Sequence, residues 1–395
     1  MDIVIIAQYL SDLEHLEKTN GRFIYLAQLL KENPDNRVEI VTTSFLHWNK
    51  KQAEIIPKEF RGCKITVIHE PGYPKNVCLK RFSSHRQLAK NIRTYLNSRK
   101  VPDVIYAAVP SLVVADVASQ YCKKNHVRFI VDIHDLWPEA FKMVVNIPIL
   151  SDMAFRPMQK QADRIYSSAE QIVAVLETYA KWGMRVNQKC KKATVVYLGT
   201  DKNVFDQYSK NYTENFTGIQ IGYVGSLSSS YDLLTIIEAI SRLKAKENIK
   251  LLVMGEGGAR QKFEEKAQEL DIICEFTGSL PYTQMIGRLC TCDIAVNPIH
   301  KGSAGSIINK VCDYAMAGLP VVNTQESEEY RKLLSLYNAG INCRCECVGD
   351  VIAAFEKLIN NPELRKQMAK NSRKLGIEQF DREKSYKSII NIIEK

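Results

Sequence analysis

Short runs of β-branched and other apolar residues alternate with amphipathic helical segments along almost the whole chain. This alternation limits the possible folds most strongly, because it is typical of parallel sheets covered by helices on both faces. It stops once, at the polar stretch 206–218, and then resumes. The chain has 395 residues, so each half is about 190 residues long, a fair size for one doubly wound domain. The sequence therefore predicts an α/β protein with two such domains.

The first half carries predicted strands at residues 3–6, 38–42, 65–68, 104–106, 128–132, 172–175 and 194–197, with helices between them, for example at 23–31, 84–96 and 112–124. The second half carries predicted strands at residues 219–223, 251–254, 274–276, 294–297 and 320–323. Its predicted helices are 233–244, 259–270, 285–289, 306–316 and 328–336, followed by 350–360, 363–375 and 382–393. We expect an N-terminal domain at 1–200, a C-terminal domain at 201–375, and a helix at 376–395 that packs back on the N-terminal domain. Ligands of open α/β sheets bind at the carboxyl ends of the strands, so the expected site is the cleft between the domains.

The composition excludes several classes of protein. The first ten residues have no basic lead and no small-residue cleavage site, which favours a buried strand over a signal peptide. No run approaches the ~18 apolar residues that a membrane span needs. The odd number of cysteines, 11, favours a reduced cytosolic compartment. Cys343, Cys345 and Cys347 lack the second pair typical of a zinc site, so we expect a surface or strand segment there and no metal.

The strongest motif lies at residues 301–320, which read KGSAGSIINKVCDYAMAGLP after a predicted strand. Gly302 and Gly305 allow a tight loop, and Ser306 can cap the helix that follows. Ser306, Lys310 and Asp313 are spaced by four and three, so they share one helix face, while the apolar residues face the sheet. A helix N-terminus attracts anions, Lys310 adds a charge for a diphosphate, and Asp313 can accept hydrogen bonds from a ribose diol. The alternative is a surface helix with solvated charges.

The same segment resembles the nucleotide-sugar site of retaining glycosyltransferases of family four, which have the GT-B fold. Those proteins carry a Glu, seven residues, a second Glu and then Ala-Met-Ala-x-Gly-x-Pro-Val. Gly305 and Asp313 occupy the two acidic positions here, followed by Tyr-Ala-Met-Ala-Gly-Leu-Pro-Val at 314–321. The pattern looks more like the sub-branch with Gly-Ser-x-x-x-Lys before the acid, which acts on bacterial surface-polysaccharide precursors. The resemblance implies a ribose contact for Asp313 and leaves the sugar contact at Gly305 open.

Three shorter segments of the second half resemble other parts of that site. Residues 222–227 match the family's Val-Gly-Arg-Leu, but Ser226 stands at the Arg position and no Lys follows at 228–231. The diphosphate would then depend on Lys310 and on the N–H groups of Gly225 and Ser226. The strand-end turns at 254–257 and 276–281 resemble the loops at the edge of the nucleotide and around its base. The alternative for all three is an ordinary turn between strand and helix.

In the first half, the segment 131–139 follows a predicted strand and contains His134. In the family a His here reaches the donor sugar, whereas a lone His beside an Asp is otherwise structural. Asp135 and Glu139 either orient acceptor hydroxyls or act as caps. Gly21 stands where the family usually has a Gly-Gly pair near the diphosphate and the acceptor.

Net charge is +10, and it lies entirely in the first half: residues 1–200 hold 29 Lys and Arg against 19 Asp and Glu, and the rest hold 25 of each. Residues 71–102 contain no acid. A basic helix face gains roughly 1 kcal/mol per Lys or Arg near anionic lipid. Nucleic acid is the competing partner, although interleaved aromatic residues are few there, and a solvated helix face is the third interpretation. The residues expected to contact an anionic membrane surface are Lys75, Lys80, Arg81, Arg86, Lys90 and Arg93.

Together these observations predict a metal-independent retaining hexosyltransferase that uses a nucleotide sugar, UDP-linked, and a lipid-linked or saccharide acceptor in capsular, exopolysaccharide or O-antigen type biosynthesis. It needs no cofactor and is expected in the cytoplasm, peripheral on the inner face of the cell membrane. The alternatives are a sugar-nucleotide epimerase of the same fold and a nucleic-acid-binding protein. The predicted catalytic residues are His134 and Lys310, and the predicted acceptor-side residues are Gly21, Asp135 and Glu139. The predicted donor-binding residues are Gly225, Ser226, Gly255, Glu256, Ser279, Leu280, Gly305, Ser306, Ile307, Asn309, Lys310 and Asp313.

Overall fold

The structure is a computed structural model that describes residues 1–10, 13–18, 21–76, 78–142, 148–244, 246–302 and 309–395. The chain divides into two compact units. The first contains Met1–Val196 and Tyr386–Lys395, and the second contains Tyr197–Ser385. Of the terminal segment 376–395, the last ten residues thus belong to the first unit and the others to the second.

The first unit contains ten described strands, eight of which form one sheet. Its strands are β1 (Asp2–Ile6), β2 (Arg37–Thr43), β3 (Phe45–Leu46), β4 (Lys51–Gln52), β5 (Glu59–Phe60), β6 (Cys63–Ile68), β7 (Val104–Val109), β8 (Arg128–Ile133), β9 (Gln171–Ala174) and β10 (Thr194–Val195). The sheet order is β10-β9-β8-β7-β1-β2-β6-β5, and every pair is parallel except β5 with β6. β3 and β4 form a separate antiparallel pair. The chain direction across the sheet therefore reverses between β1 and β7, which places a ligand crevice at their carboxyl ends.

Helices cover the sheet of the first unit because its central strands β1 and β7 are apolar at every position except Asp2. They are α1 (Arg22–Lys31), α2 (Leu79–Ser98), α3 (Leu112–Asn125), α4 (Glu139–Lys142), α5 (Pro148–Ser168) and α6 (Glu177–Met184). The core joins β1 and α1 to three residues of the chain end, Tyr386, Ile389 and Ile393. The end of the chain therefore contributes to the first hydrophobic core.

The second unit has a fully parallel sheet of six strands. They are β11 (Ile219–Val224), β12 (Ile249–Met254), β13 (Ile273–Gly278), β14 (Ile294–Asn297), β15 (Val321–Asn323) and β16 (Gly340–Asn342). Their order is β13-β12-β11-β14-β15-β16. The order reverses between β11 and β14, so a second ligand crevice is expected at the carboxyl ends of these two strands.

The remaining helices are α7 (Lys202–Tyr208), α8 (Leu233–Ser241), α9 (Arg260–Glu269), α10 (Tyr282–Leu289), α11 (Asn309–Met316), α12 (Glu328–Tyr337), α13 (Val348–Ile359), α14 (Pro362–Leu375), α15 (Arg382–Ser385) and α16 (Lys387–Ile393). Of these, α16 belongs to the first unit. Within the described part of the chain, no helix is both long and apolar enough to cross a membrane.

Every strand predicted from the sequence has a counterpart, and the α/β class is confirmed. The sequence analysis missed β3, β4, β5 and β16, which have two or three residues each and are too short to show a period. The helix predicted at 306–316 is described only from Asn309 onward. The helix predicted at 382–393 is two helices that meet at Tyr386.

Candidate functional site

Lys310 lies beside the end of β11, where the strand order of the second unit reverses. It belongs to α11, which follows β14, and its side chain reaches the carboxyl end of β11. The ammonium nitrogen lies 4.4 Å from the ring centroid of Tyr223 and 4.1 Å from that of Tyr231. A cation between two aromatic faces is attracted to both by the negative charge density of the rings.

The ammonium group of Lys310 has no hydrogen-bond partner among the described residues, and the residue is only 5% exposed. Burial lowers its pKa well below the usual value. An unpaired cation out of water is costly, and an anion that enters the site would remove that cost. A buried amine without a hydrogen-bond partner is therefore suited to binding an anion.

Gly225 and Ser226 form the turn at the end of β11. A side chain at Gly225 would lie 3.5 Å from Cδ of Lys310, and its φ of +135° favours glycine. The prediction that its N–H group binds a diphosphate is wrong, because that group donates to the carbonyl of Met254 at 3.0 Å. Ser226 is exposed, and its carbonyl accepts a hydrogen bond from the Tyr223 hydroxyl at 2.7 Å.

Gly255 and Glu256 form the turn at the end of β12, which packs directly on the first turn. A Cβ at Gly255 would lie 1.8 Å from the carbonyl oxygen of Gly225, so only glycine permits this approach. The carbonyl of Glu256 accepts from the N–H of Leu227 at 2.8 Å, and its carboxylate pairs with Arg260. Close packing against Gly225 is therefore enough to explain a glycine at position 255. The nucleotide contact predicted for Gly255 stays a prediction.

Asp313 is buried on the same helix as Lys310. Its Oδ1 accepts hydrogen bonds from Oγ1 of Thr200 at 2.7 Å and from the hydroxyl of Tyr282 at 2.8 Å. Burial raises its pKa to about 6, although these two bonds and nearby Arg382 act in the opposite direction. Asp313 therefore links α11 to α10 and to the segment before α7. The ribose contact assigned to it stays a prediction and would have to share the carboxylate with these bonds.

The other predicted donor residues lie at loop ends or outside the described chain. Ser279 is exposed after β13, and Leu280 lines a pocket of about 510 Å³ with residues of α7 and α10. Asn309 is exposed at the start of the described part of α11. Gly305, Ser306 and Ile307 lie outside the described residues.

His134 lies at the carboxyl end of β8 in the first unit, where buried groups orient its ring. Its Nε2 is 2.8 Å from Oδ2 of Asp132, and the ring stacks on Phe23 with 5.0 Å between centroids. Asp132 is fully buried and also accepts from Nε of Arg22 at 2.9 Å and from the Tyr106 hydroxyl at 2.7 Å. The sequence analysis did not single out Asp132, Arg22 or Tyr106, because their partners are far apart in the chain.

These contacts place a proton on one of the two ring nitrogens of His134. Burial alone would raise the pKa of Asp132, but Arg22, His134 and Tyr106 outweigh it and hold the pKa well below its usual range. An ionised carboxylate only accepts hydrogen bonds, so Nε2 of His134 carries the proton. In the neutral imidazole Nδ1 is then the nitrogen that can accept a hydrogen bond from a ligand.

The predicted acceptor-side residues lie near the ends of β1 and β8. Oδ1 of Asp135 accepts from the N–H of Leu136 at 2.9 Å, and burial raises its pKa. Glu139 is half-buried at the first residue of α4. Gly21 is the N-cap of α1, with its carbonyl accepting from the N–H of Tyr25 at 3.1 Å. Their acceptor roles stay predictions.

Residues 204–375 match the family model "Glycosyl transferases group 1". The matched residues lie within the second unit. The chain is 24% identical to an uncharacterized glycosyltransferase of Methanocaldococcus jannaschii over 239 residues, which are 58% of this chain. That match spans 60% of the relative's length.

Solved structures extend the likeness from the glycosyltransferase domain to the whole chain. A sucrose-phosphate synthase from Thermosynechococcus elongatus superposes with a TM-score of 0.77 at 12% identity, covering 100% of this chain and 98% of the other. HepE of Anabaena, solved with UDP, gives a TM-score of 0.71 at 12% identity and full coverage of both chains. WaaG, a glycosyltransferase of lipopolysaccharide biosynthesis, gives 0.67 at 16% identity, covering 99% of each. The chain therefore has the GT-B fold of these glycosyltransferases, with a Rossmann-like domain in each unit.

Arg81 differs from the other residues predicted to contact a membrane, because its side chain packs against aromatic rings. Its guanidinium carbon lies 4.8 Å from the ring centroid of Trp137 and 5.5 Å from that of Tyr73, and Nη2 donates to the Tyr9 hydroxyl at 2.9 Å. These contacts hold it against aromatic rings and away from a flat surface. The remaining members of the predicted set are exposed, namely Lys75, Lys80, Arg86, Lys90 and Arg93.

Among the described residues, no group of three or more His, Cys, Asp or Glu side chains is placed to hold a metal ion. The cysteines are free, and Sγ of Cys345 donates to the carbonyl of Ile299 at 2.9 Å. Metal independence of the glycosyltransferase stays a prediction.

Proposed function

We propose that this protein is a glycosyltransferase that moves a hexosyl group from a nucleotide sugar, UDP-linked, to a saccharide or lipid-linked acceptor. The observation that carries the proposal is the buried ammonium of Lys310, which lacks an anionic partner at the point where the order of the parallel strands reverses. A diphosphate is the part of the donor that fits such a cation.

The choice of nucleotide is supported by the neighbouring structures. HepE of Anabaena was solved with UDP, and also with UDP-glucose at 13% identity and a TM-score of 0.67. The group 1 domain covers the unit that contains Lys310. UDP is therefore the first nucleotide to test.

In the proposed reaction the bond between the anomeric carbon and the diphosphate breaks, and a bond from that carbon to the acceptor oxygen forms. Negative charge develops on the diphosphate, and Lys310 stabilises it because a fixed charge in a buried site needs no reorganisation. The acceptor proton passes to an oxygen of the departing diphosphate on the same face of the sugar, so the anomeric configuration is retained. His134 contacts the donor sugar, with Asp132 holding its ring.

The proposed setting is the biosynthesis of a surface polysaccharide on the cytoplasmic side of a membrane. Its support is the exposed basic surface of α2, which carries Lys80, Arg86, Lys90 and Arg93 and is preceded by Lys75. Like charges on one helix face attract anionic lipid head groups. No metal takes part in the proposed reaction.

A thermal-shift series tests the proposal. UDP should raise the melting temperature of the full chain more than GDP or dTDP at equal concentration, since a ligand that binds only the native state stabilises it by mass action. A UDP-hexose incubated alone should then keep its sugar unchanged, whereas an epimerase would interconvert it. Absence of any shift with all three nucleotides, or epimerisation without acceptor, would refute the proposed transfer.

A further inference from the structure

A pocket of about 290 Å³ opens in the first unit, at the end of β7, and the proposed donor chemistry leaves it unused. Helices α2, α3 and α5 and the segment after β8 contribute to its wall. Its volume is at the lower end of the range of small-molecule sites. We call it the α3 pocket, and its main lining residues are Phe82, Arg86, Ser111, Trp137, Ala154 and Phe155.

One end of the α3 pocket offers donors to an anion. Ser111 is the N-cap of the 14-residue helix α3, whose first N–H groups have no partner within the helix. Ser111 is 0% exposed, its hydroxyl makes no hydrogen bond among the described residues, and its side chain caps no N–H. A buried hydroxyl without a partner is costly, and a ligand oxygen would relieve that cost. Arg86 adds a positive charge, and no acidic residue occurs among the described residues of the wall.

The rest of the α3 pocket is mostly apolar, with His85 and Gln161 as its further polar residues. Phe82, Trp137 and Phe155 supply rings, and aliphatic side chains from α3 and α5 fill the space between them. The helices that form this wall also carry two of the most exposed apolar side chains of the protein, Leu79 on α2 at 87% and Met153 on α5 at 72%. Neither side chain lines the pocket itself, so the apolar contact that the pocket offers comes from its rings and from Leu112, Val113, Pro157 and Met158.

We infer that the α3 pocket binds an amphipathic lipid phosphate, with the phosphate at Ser111, Arg86 and the N-terminus of α3 and the first carbons of the chain against the aromatic rings. The inference rests on the proposed function, because it makes the lipid phosphate the acceptor's anchor. Helix N-termini bind phosphate through their N–H groups and dipole, and apolar contact with the rings distinguishes a lipid phosphate from a free one.

The test is calorimetric titration of the full chain with farnesyl phosphate below its micelle concentration, with farnesol and inorganic phosphate as comparison ligands. Farnesyl phosphate should bind at least about tenfold more tightly than either, because each lacks one of the two contacts. Ala154 is exposed at the pocket, so Ala154→Phe fills it without disturbing the core and should weaken binding about tenfold or more. The matched control, Ala353→Phe on an exposed position of α13, should bind as the wild type does.

Ser111→Ala separates a ligand contact from a structural role. It should weaken binding of farnesyl phosphate roughly threefold to tenfold, yet leave the melting temperature of the unbound protein unchanged or higher, because the hydroxyl makes no bond there. Unchanged binding by Ala154→Phe, or equal affinity for farnesol or inorganic phosphate, would overturn the inference. UDP binding keeps the two proposals apart: a wild-type protein that binds UDP but not farnesyl phosphate refutes this pocket and leaves the donor site standing.

Discussion

The imidazole of His134 is held by the carboxylate of Asp132, with 2.8 Å between Nε2 and Oδ2. Asp132 is in turn paired with the buried guanidinium of Arg22. Burial alone would lower the pKa of Arg22, but Asp132, Tyr386 and Tyr106 raise it above its usual value. The ion pair thus stays charged, and the histidine at the end of β8 has one orientation and one tautomer.

His134→Ala should lower the rate of sugar transfer by roughly 10²-fold, because removal of one group that contacts the reacting centre costs about that much. UDP affinity should stay within about twofold of the wild type, since the diphosphate contact belongs to the other unit. The comparison variant is His69→Ala, which removes an exposed histidine of the same unit. A loss of turnover in both variants, or in neither, would remove the role proposed for His134.

Gly255→Ala should destabilise the second unit by about 1–3 kcal/mol, because its methyl group would overlap the backbone of Gly225. Gly258→Ala is the matched control: a Cβ there has no atom within 4 Å, so stability should change by less than about 0.5 kcal/mol. Urea unfolding monitored by circular dichroism measures both. Equal stability of the two variants would show that the turns after β11 and β12 do not pack as described.

Asp313→Asn should change how stability depends on pH. Burial raises the pKa of Asp313 from 3.8 to about 6, so between these values the folded protein holds a proton that the unfolded chain has lost. The stabilisation linked to this proton is full below pH 4 and disappears as the pH rises through 6. Asparagine does not ionise, so the variant does not lose stability in this pH range. At pH 7.5 its free energy of unfolding should exceed that of the wild type by about 2–3 kcal/mol, with little difference at pH 4. Parallel stability curves for the two proteins would contradict the assignment.

Lys90→Gln combined with Arg93→Gln should weaken binding to anionic vesicles roughly 30-fold, at about 1 kcal/mol for each charge removed. Both side chains are exposed on α2. Lys366→Gln with Lys370→Gln removes the same charge from exposed positions of α14 and should have no effect. Sedimentation with phosphatidylserine vesicles measures the binding, and equal weakening by both pairs would show a general charge effect in place of a membrane surface.

The sequence predicted the sheets well because buried parallel strands form nearly continuous apolar runs, as β7 does throughout and β11 does apart from Gln220. It also led to Lys310 and His134, which follow strands in recognisable motifs. It could not show that Asp313 binds Thr200, which lies 113 residues away, or that Arg22 pairs with Asp132. Nor could it distinguish a glycine that frees an N–H group from one like Gly225, whose N–H is already bonded. Contacts of that kind depend on the folded arrangement and have no local pattern.

The melting temperature of the unbound protein tests whether the Lys310 amine is buried. Its pKa is lowered by burial, so the folded protein binds a proton less readily than the unfolded chain at neutral pH, which is destabilising. Lys310→Met should therefore raise the melting temperature without ligand, whereas Lys357→Met, at an exposed position of α13, should not. UDP binding by the wild type should take up a proton, because the diphosphate favours the charged amine, and the affinity should fall as the pH rises.

The affinity of Lys310→Met for UDP tests the central claim most directly. Calorimetry at pH 7 should show binding weakened roughly 10- to 100-fold, the cost of one hydrogen bond to a charged group, while Lys357→Met binds as the wild type does. Equal UDP affinity of Lys310→Met and the wild type would mean that the buried ammonium does not hold the diphosphate, and the proposed donor site would be wrong.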